Sequence, residues 1–395
     1  MRRHQLDTIL KAMLVSHPSI SDLVFATGKP LQVESDGVLR PVPFDPDPGR
    51  LTPYQTERIA LNVVGDNPRL LRELLTRGAC DCAYTIDTGV RFRVNIYKQR
   101  GHFSLVMRRT QAEIPSLSAL SLAPVFREIC KERNGLILVT GATGSGKTTT
   151  LSAILDEINA SQPIHIVTLE DPIEFVHEQK LATFSQRELG SDFENFADGL
   201  RSAMRQAPKV ILVGEMRDRA TVEIALSAAE TGHLVLSTLP TINAGQTVNR
   251  LLGMVDSSEH SHLRQRLTES LRYIVSQRLV PKIGGGRQLI QEVMGANLRV
   301  REALALGEGE GRSFYDIIEA NTQVGWTTFD QSLQRACLAG LIEEETALVY
   351  ATHKNKLSRM IDEGRKRQGA AEKSSVNLRL DALRPGSTPG FRVAT

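Results

Sequence analysis

Residues 141 to 150 read GATGSGKTTT, which fits the phosphate-cradling pattern G-x-x-x-x-G-K-[ST] through Gly141, Gly146, Lys147 and Thr148. Glycines let backbone N–H groups converge on phosphate oxygens, and a helix starting at the lysine adds partial positive charge. Lys147 can reach the outer phosphates, and the Thr148 hydroxyl can coordinate Mg²⁺. The nucleotide-binding set is therefore Gly141, Ala142, Thr143, Gly144, Ser145, Gly146, Lys147, Thr148 and Thr149, with Thr148 as the metal ligand. The flanks suit this chemistry. GLILVT (135–140) is a short apolar run rich in branched residues, and Leu151, Ile154, Leu155 and Ile158 recur at helical spacing. A plain glycine-rich turn is the competing reading, and the order strand, loop, helix disfavours it.

Carboxylates follow two further apolar runs. KVILVGE puts Glu215 directly after a strand, where a nucleotide hydrolase needs an acid to position water or metal, with Gly214 where an aspartate often stands. LEDPIE supplies Glu170, Asp171 and Glu174 at the end of the preceding strand, and Pro172 prevents the chain from continuing as helix there. The carboxyl ends of strands are the usual ligand crevice of open α/β sheets. An acid after a strand is common, so these residues gain weight only beside the cradle. No guanine-reading N/TKxD pattern follows a late strand, which favours ATP over GTP.

The elements that must position these groups fall into segments. Residues 1–112 read as an α+β domain: a first amphipathic helix, strand-like LVFAT, LQVES and VLRPV with an Asp36-Gly37 turn, helices near 53–64 and 68–77, then AYTID, RFRVNIYK and HFSLVMRR. EIPSLSALSLAP (113–124) has linker composition. From 125 to 295, GLILVT, HIVTLE, KVILVGE and HLVLSTL alternate with helices, the mark of a largely parallel sheet covered on both faces. Residues 296–362 read as a helical subdomain, and 363–395, rich in Ser, Pro and Gly, as a tail without fixed structure.

Composition narrows the class. With 41% hydrophobic and 24% charged residues the chain is an ordinary globular protein, without an apolar run of the roughly 18 residues that a bilayer crossing needs. Four cysteines lack zinc or C-x-x-C spacing and read as free thiols. A net charge of +3 is too small to imply nucleic acid as a partner. The basic stretch at 354–368 reads as part of a solubilising end rather than a membrane-binding one.

GATGSGKTTT, TLEDPIEFVH, QREL, LRSAMRQAPKVILVGEMRD and AAETGHLVLSTL resemble, in order, the Walker A motif, Asp box, Walker B motif and His box of the type II/IV secretion ATPase superfamily. The chain is identified as a member of its PilT/PilU pilus-retraction group over residues 5 to about 362. The resemblance implies a RecA-like P-loop NTPase core behind a PAS-like N-terminal domain. It also implies a homohexamer in the cytoplasm, docked on the inner-membrane platform protein of a type IV pilus and turning ATP hydrolysis into retraction and twitching motility. Carried over by position, Glu215 is the catalytic carboxylate, Glu170 belongs to the Asp box, and His233 opens the His box. Arg93 and Arg108 stand where the superfamily supplies arginines to phosphates; their bland reading is solvated charge on a sheet.

The pattern departs in places. The usual T-L-H of the His box is Thr238-Leu239-Pro240 here, the retraction signature keeps only Arg301 in Val300-Arg301-Glu302-Ala303-Leu304-Ala305, and Trp326 stands where the group has methionine. These features look more PilU-like and leave two readings open: an active retraction motor, or an accessory ring subunit that binds ATP, turns over poorly and works with a sister ATPase. A type II secretion or conjugation ATPase is the weaker alternative.

Overall fold

Helical spacing at Leu6, Leu10 and Met13 gives α1 (Arg3–Val15) one buried face. The computed structural model describes residues 2–46, 48–110, 113–309 and 312–381, with side chains as far as residue 367. After α1 come β1 (Ile20–Phe25), β2 (Gln32–Ser35) and β3 (Val38–Pro41). Asp36 and Gly37 both take positive φ, 51° and 77°, the tight turn that an Asp-Gly pair favours. Helices α2 (Pro53–Val64) and α3 (Pro68–Arg77) each start on a proline, whose fixed φ suits that place, behind Thr52 and Asn67 as side-chain caps. Strands β4 (Ala79–Thr85), β5 (Arg91–Gln99) and β6 (His102–Arg109) complete an antiparallel sheet of order β3-β2-β1-β6-β5-β4. Its core includes Leu23, Phe25, Phe92, Val94, Ile96, Leu105 and Met107. The alternation of β5 sends Phe92, Val94 and Ile96 inward and leaves Arg93 exposed.

No helix or strand occupies 113–124. Beyond it run α4 (Val125–Ile129), β7 (Gly135–Gly141), α5 (Lys147–Ser161), β8 (His165–Glu170), β9 (Thr183–Glu188), α6 (Phe196–Ala203), β10 (Val210–Val213), α7 (Arg219–Glu230) and β11 (Leu234–Leu239). Then follow α8 (Ala244–Leu252), α9 (His260–Ser270), β12 (Leu271–Pro281), β13 (Arg287–Gly295), α10 (Leu298–Leu306), α11 (Phe314–Glu319), α12 (Phe329–Leu338), α13 (Glu344–Tyr350) and α14 (Lys354–Asp381). Two units result. One holds the described residues up to Ala119 with Cys130–Gly135 and Thr148–Ser237; the other holds Leu120–Ile129, Leu136–Lys147 and the described residues from Thr238 onward.

In the first unit β11, β10, β8 and β9 lie side by side in that order, all parallel. Residues Val210–Val213 of β10 are all buried, as continuous apolar runs require. In the second, β7 is parallel to β12, and β12 is antiparallel to β13. That hairpin and β9 were not among the expected strands. Gly284, Gly285 and Gly286, all with positive φ, make its turn. The C-terminal helices close a small core of Val280, Ile290, Phe329, Leu333, Leu357 and Ile361. Trp326 is buried against Gly295, where a Cβ would come within 2.6 Å of the indole. The segment expected to lack structure from residue 363 is helical to Asp381; residues 382–395 lie outside the described residues. The α/β class is as expected.

Candidate nucleotide-hydrolysis site

Every residue of β7 is buried, and the strand ends at Gly141. Gly141 has φ +149°, and a Cβ there would fall 2.4 Å from Ser145 Oγ and 2.6 Å from the Gln277 carbonyl oxygen. The loop folds back too closely for any side chain at this position. Gly144 and Gly146 also take positive φ, 78° and 89°. Lys147 Nζ donates to the carbonyls of Gly141 and Ala142 at 2.9 and 3.0 Å, which holds the ammonium on the loop. Ser145 Oγ is buried without a hydrogen-bond partner among the described residues. Helix α5 opens at Lys147, so Thr148 and Thr149 lie in its first turn, where backbone N–H groups have no helical acceptor. Tight glycines, an N-terminal helix turn, a lysine and an unpartnered hydroxyl fit a phosphate chain.

The acids gather at neighbouring strand ends. Glu170 closes β8; its Oε1 accepts from Thr168 Oγ1 at 2.6 Å and from Gln186 Nε2 at 3.0 Å. Burial pushes its pKa up to about 6, opposed by those two hydrogen bonds. Leu169 pairs with Val213, so Gly214 and Glu215 emerge beside Glu170. A Cβ at Gly214 would lie 3.1 Å from the Leu169 carbonyl oxygen, so a side chain there would be tightly seated. Glu215 is partly exposed and accepts from Arg217 Nε at 2.9 Å.

The arginines come from the antiparallel sheet. Arg93 and Arg108 are direct cross-strand neighbours, and both line a cleft of about 290 Å³ with Thr149, Pro172 and Glu174. Arg108 is held at one side by Asp22, with Nε 2.8 Å from Oδ1. Arg109, Thr110 and Phe175 also line this cleft and were missed in the sequence; only the Arg108-Arg109 doublet offered a signal. The structure thus brings Arg93, Arg108 and Thr149 to one place. It does not bring His233 there. His233 precedes β11 at the amino end of its strand, and its Nδ1 lies 3.0 Å from the Ala228 carbonyl oxygen, joining α7 to the strand.

The tight glycine loop running into α5 is the phosphate cradle of a P-loop nucleoside triphosphatase. Residues 83–325 match the Type II/IV secretion system protein family, and the chain belongs to it, among the PilT/PilU-like ATPases. The type IV pilus retraction ATPase PilT of Pseudomonas aeruginosa is 38% identical over 328 residues, 83% of this chain and 93% of PilT. The type IV pilus ATPase PilU of the same organism is 35% identical over 345 residues, 87% of this chain and 88% of PilU. Overall identity therefore does not set the chain nearer to PilU. A crystal structure of the pilus retraction motor PilT with bound ADP matches with a TM-score of 0.80 at 38% identity, covering 90% of this chain and 98% of that one. Among the described residues no helix is long and apolar enough to cross a membrane.

Proposed function

We propose that the chain is an ATP-hydrolysing motor of type IV pilus retraction, working as a cytoplasmic homohexamer against an inner-membrane platform protein. The observation that carries this reading is the shared cleft of Arg93, Arg108, Thr149 and Glu174. In it, guanidinium groups from the N-terminal sheet meet the first turn of the cradle helix. ATP lies along 141–149, and Lys147 leaves the Gly141 and Ala142 carbonyls for the outer phosphates. Mg²⁺, held by Thr148, neutralises phosphate charge when bound. Glu215 orients the attacking water, with Glu170 beside it. Arg93 and Arg108 stabilise the charge that spreads over the transferring phosphoryl oxygens. Loss of phosphate weakens their hold; 1–112, 125–295 and 296–362 act as separate domains, with 113–124 as a linker. His233 acts as a joint between α7 and β11 rather than at the phosphates.

Pro240 supports a second reading. It is exposed directly after β11 and brings neither an imidazole nor a backbone N–H to the place of a His-box histidine. An accessory ring subunit that turns over poorly and relies on a sister retraction ATPase fits that loss. Steady-state ATPase rates of the purified ring, alone and mixed with the sister ATPase, separate the two. Retraction restored in a null strain by wild type but not by Lys147→Ala supports the motor; restoration by both variants rejects it.

A further inference from the structure

Two arginines from the antiparallel-sheet region close on the turn that ends β9. Arg91, on β5, forms an ion pair with Glu188, their side chains only 19% and 10% exposed. The same Glu188 oxygen, Oε2, accepts the Ile173 N–H at 3.1 Å. Asp192 Oδ2 in turn accepts the Glu188 N–H at 2.7 Å. Two residues further on, the Gly190 carbonyl accepts Arg69 Nε at 2.9 Å, and Glu73 steadies that guanidinium at 2.9 Å. Gly190 has φ +81°, and a Cβ there would stand 2.3 Å from Arg69 Cζ. The positive φ calls for glycine, and the guanidinium lies directly against the turn.

The placement of Glu188 connects two walls of the cleft. Arg91 and Arg93 are alternate residues of β5 and share a face. Ile173 stands between Pro172 and Glu174, both of which line the cleft. One carboxylate oxygen therefore fastens the strand that bears Arg93 to the loop that bears Glu174. Without it the largely buried Arg91, whose Nε already lacks a partner among the described residues, would be an uncompensated charge, and the buried Ile173 N–H would lose its acceptor.

We infer that Glu188 is a positioning residue for ATP hydrolysis: by joining Arg91 to the Ile173 peptide it fixes the reach of Arg93 across the cleft. The inference rests on the ATPase reading of that cleft. Reach matters because a donor stabilises a transition state only where charge develops, and a displacement of about 1 Å can cost about 10²-fold in rate. Glu188 itself touches no phosphate in this scheme.

The test uses the full chain as wild type, Glu188→Gln, Arg93→Ala and the double variant, with kcat and KM for ATP and the affinity for a fluorescent ADP analogue as readouts. Glu188→Gln keeps the volume and an acceptor for Ile173 N–H but removes the charge that holds Arg91. Its kcat is expected to fall about 10- to 100-fold, with ADP affinity unchanged within about threefold. In the Arg93→Ala background the same change should cost less than about threefold, because the arginine it places is gone. Losses that multiply in the double variant, or an unchanged kcat in Glu188→Gln, overturn the positioning role. If Glu188→Gln shows no cooperative thermal transition, Arg91→Lys in the same cycle with Arg93→Ala replaces it and is held to the same outcomes. A wild-type chain that does not turn over ATP sinks the ATPase reading and the positioning role together; an active wild type with multiplying losses sinks the positioning role alone.

Discussion

Arg93 and Arg108 stand directly opposite each other across β5 and β6, two like charges at one rung of the ladder. Like charges directly opposite each other are destabilising. Asp22 offsets the charge of Arg108, whereas Arg93 has no carboxylate partner among the described residues. The arrangement is favourable once an anion enters the cleft that both line.

The two arginines should therefore behave differently when removed. Arg93→Ala relieves a repulsion and leaves no buried group unpaired, so thermal stability should hold or rise slightly while kcat falls by about 10²-fold or more. Arg108→Ala strips the nearly buried Asp22, 5% exposed, of its ion-pair partner and should lower both the unfolding temperature and kcat. Thermal scans beside ATPase assays of the two variants check this. Wild-type turnover in the double variant would mean that both are surface charges.

Lys147→Ala should abolish hydrolysis and weaken ATP binding. In the chain as it stands the ammonium also holds the Gly141 and Ala142 carbonyls, so the variant loop should loosen as well. Hydrogen exchange over 141–147 is expected to rise, and turnover near the wild-type rate would rule out this loop as the catalytic site.

The cradle was legible because its chemistry is local: glycines, lysine and hydroxyl are adjacent in sequence, and their flanks declare strand and helix. Helices α2 and α3 were legible for a similar reason, since Thr52-Pro53 and Asn67-Pro68 mark their starts. The turn at Asp36-Gly37 was equally plain. What escaped depends on residues far apart. The facing of Arg93 and Arg108 depends on register, set by the turn at Arg100-Gly101, both with positive φ. The Arg91 to Glu188 bridge spans 97 residues and has no sequence signature. Strands β12 and β13 mix charged and apolar residues along their length, as in RYIVSQRLVP, which hides their burial; Arg278 is accommodated by stacking on Phe329. His233 differs again: its motif position carried a catalytic expectation, and its ring contacts the Ala228 carbonyl oxygen outside the cleft that Arg93 and Arg108 line.

Glu215 and Glu170 differ in environment, and pH should separate them. Burial raises Glu170 from an ordinary 4.5 to about 6. Between those values the folded chain binds more protons than the unfolded one, so this residue's cost to stability is absent below about pH 4.5 and complete above about pH 6. At 1.36 kcal/mol per unit the cost is about 2 kcal/mol. Glu170→Gln should therefore raise the unfolding temperature at pH 8 and change it little at pH 4.5. Glu215→Gln should leave the unfolding temperature nearly unchanged and cut kcat by about 10²- to 10⁴-fold while ATP still binds. If Glu215→Gln retains turnover, Glu170 is the carboxylate that orients water, and kcat should then climb with pH through about 6.

Pro240 lies exposed between the end of β11 and Asn243, which caps α8 through its side chain. The turn is closed by Thr241 Oγ1 and Thr247 Oγ1, 2.7 Å apart, and by the Glu292 carboxylate, which accepts the Ala244 N–H at 2.9 Å. None of these bonds uses residue 240. Histidine there should thus be accommodated without loss of fold, since a solvent-facing ring needs no space made for it, although release of the fixed φ gives the unfolded chain a little more entropy. The added ring restores a donor and acceptor to the His box, and the isolated protein's ATPase rate should rise while its unfolding temperature stays within a few degrees. A rise would mark the wild type as an attenuated motor that works with a sister ATPase. An unchanged rate, or a wild type already as fast as that sister ATPase, would make Pro240 a neutral variation in a fully competent motor; a fall in rate at unchanged stability would reject the attenuation idea.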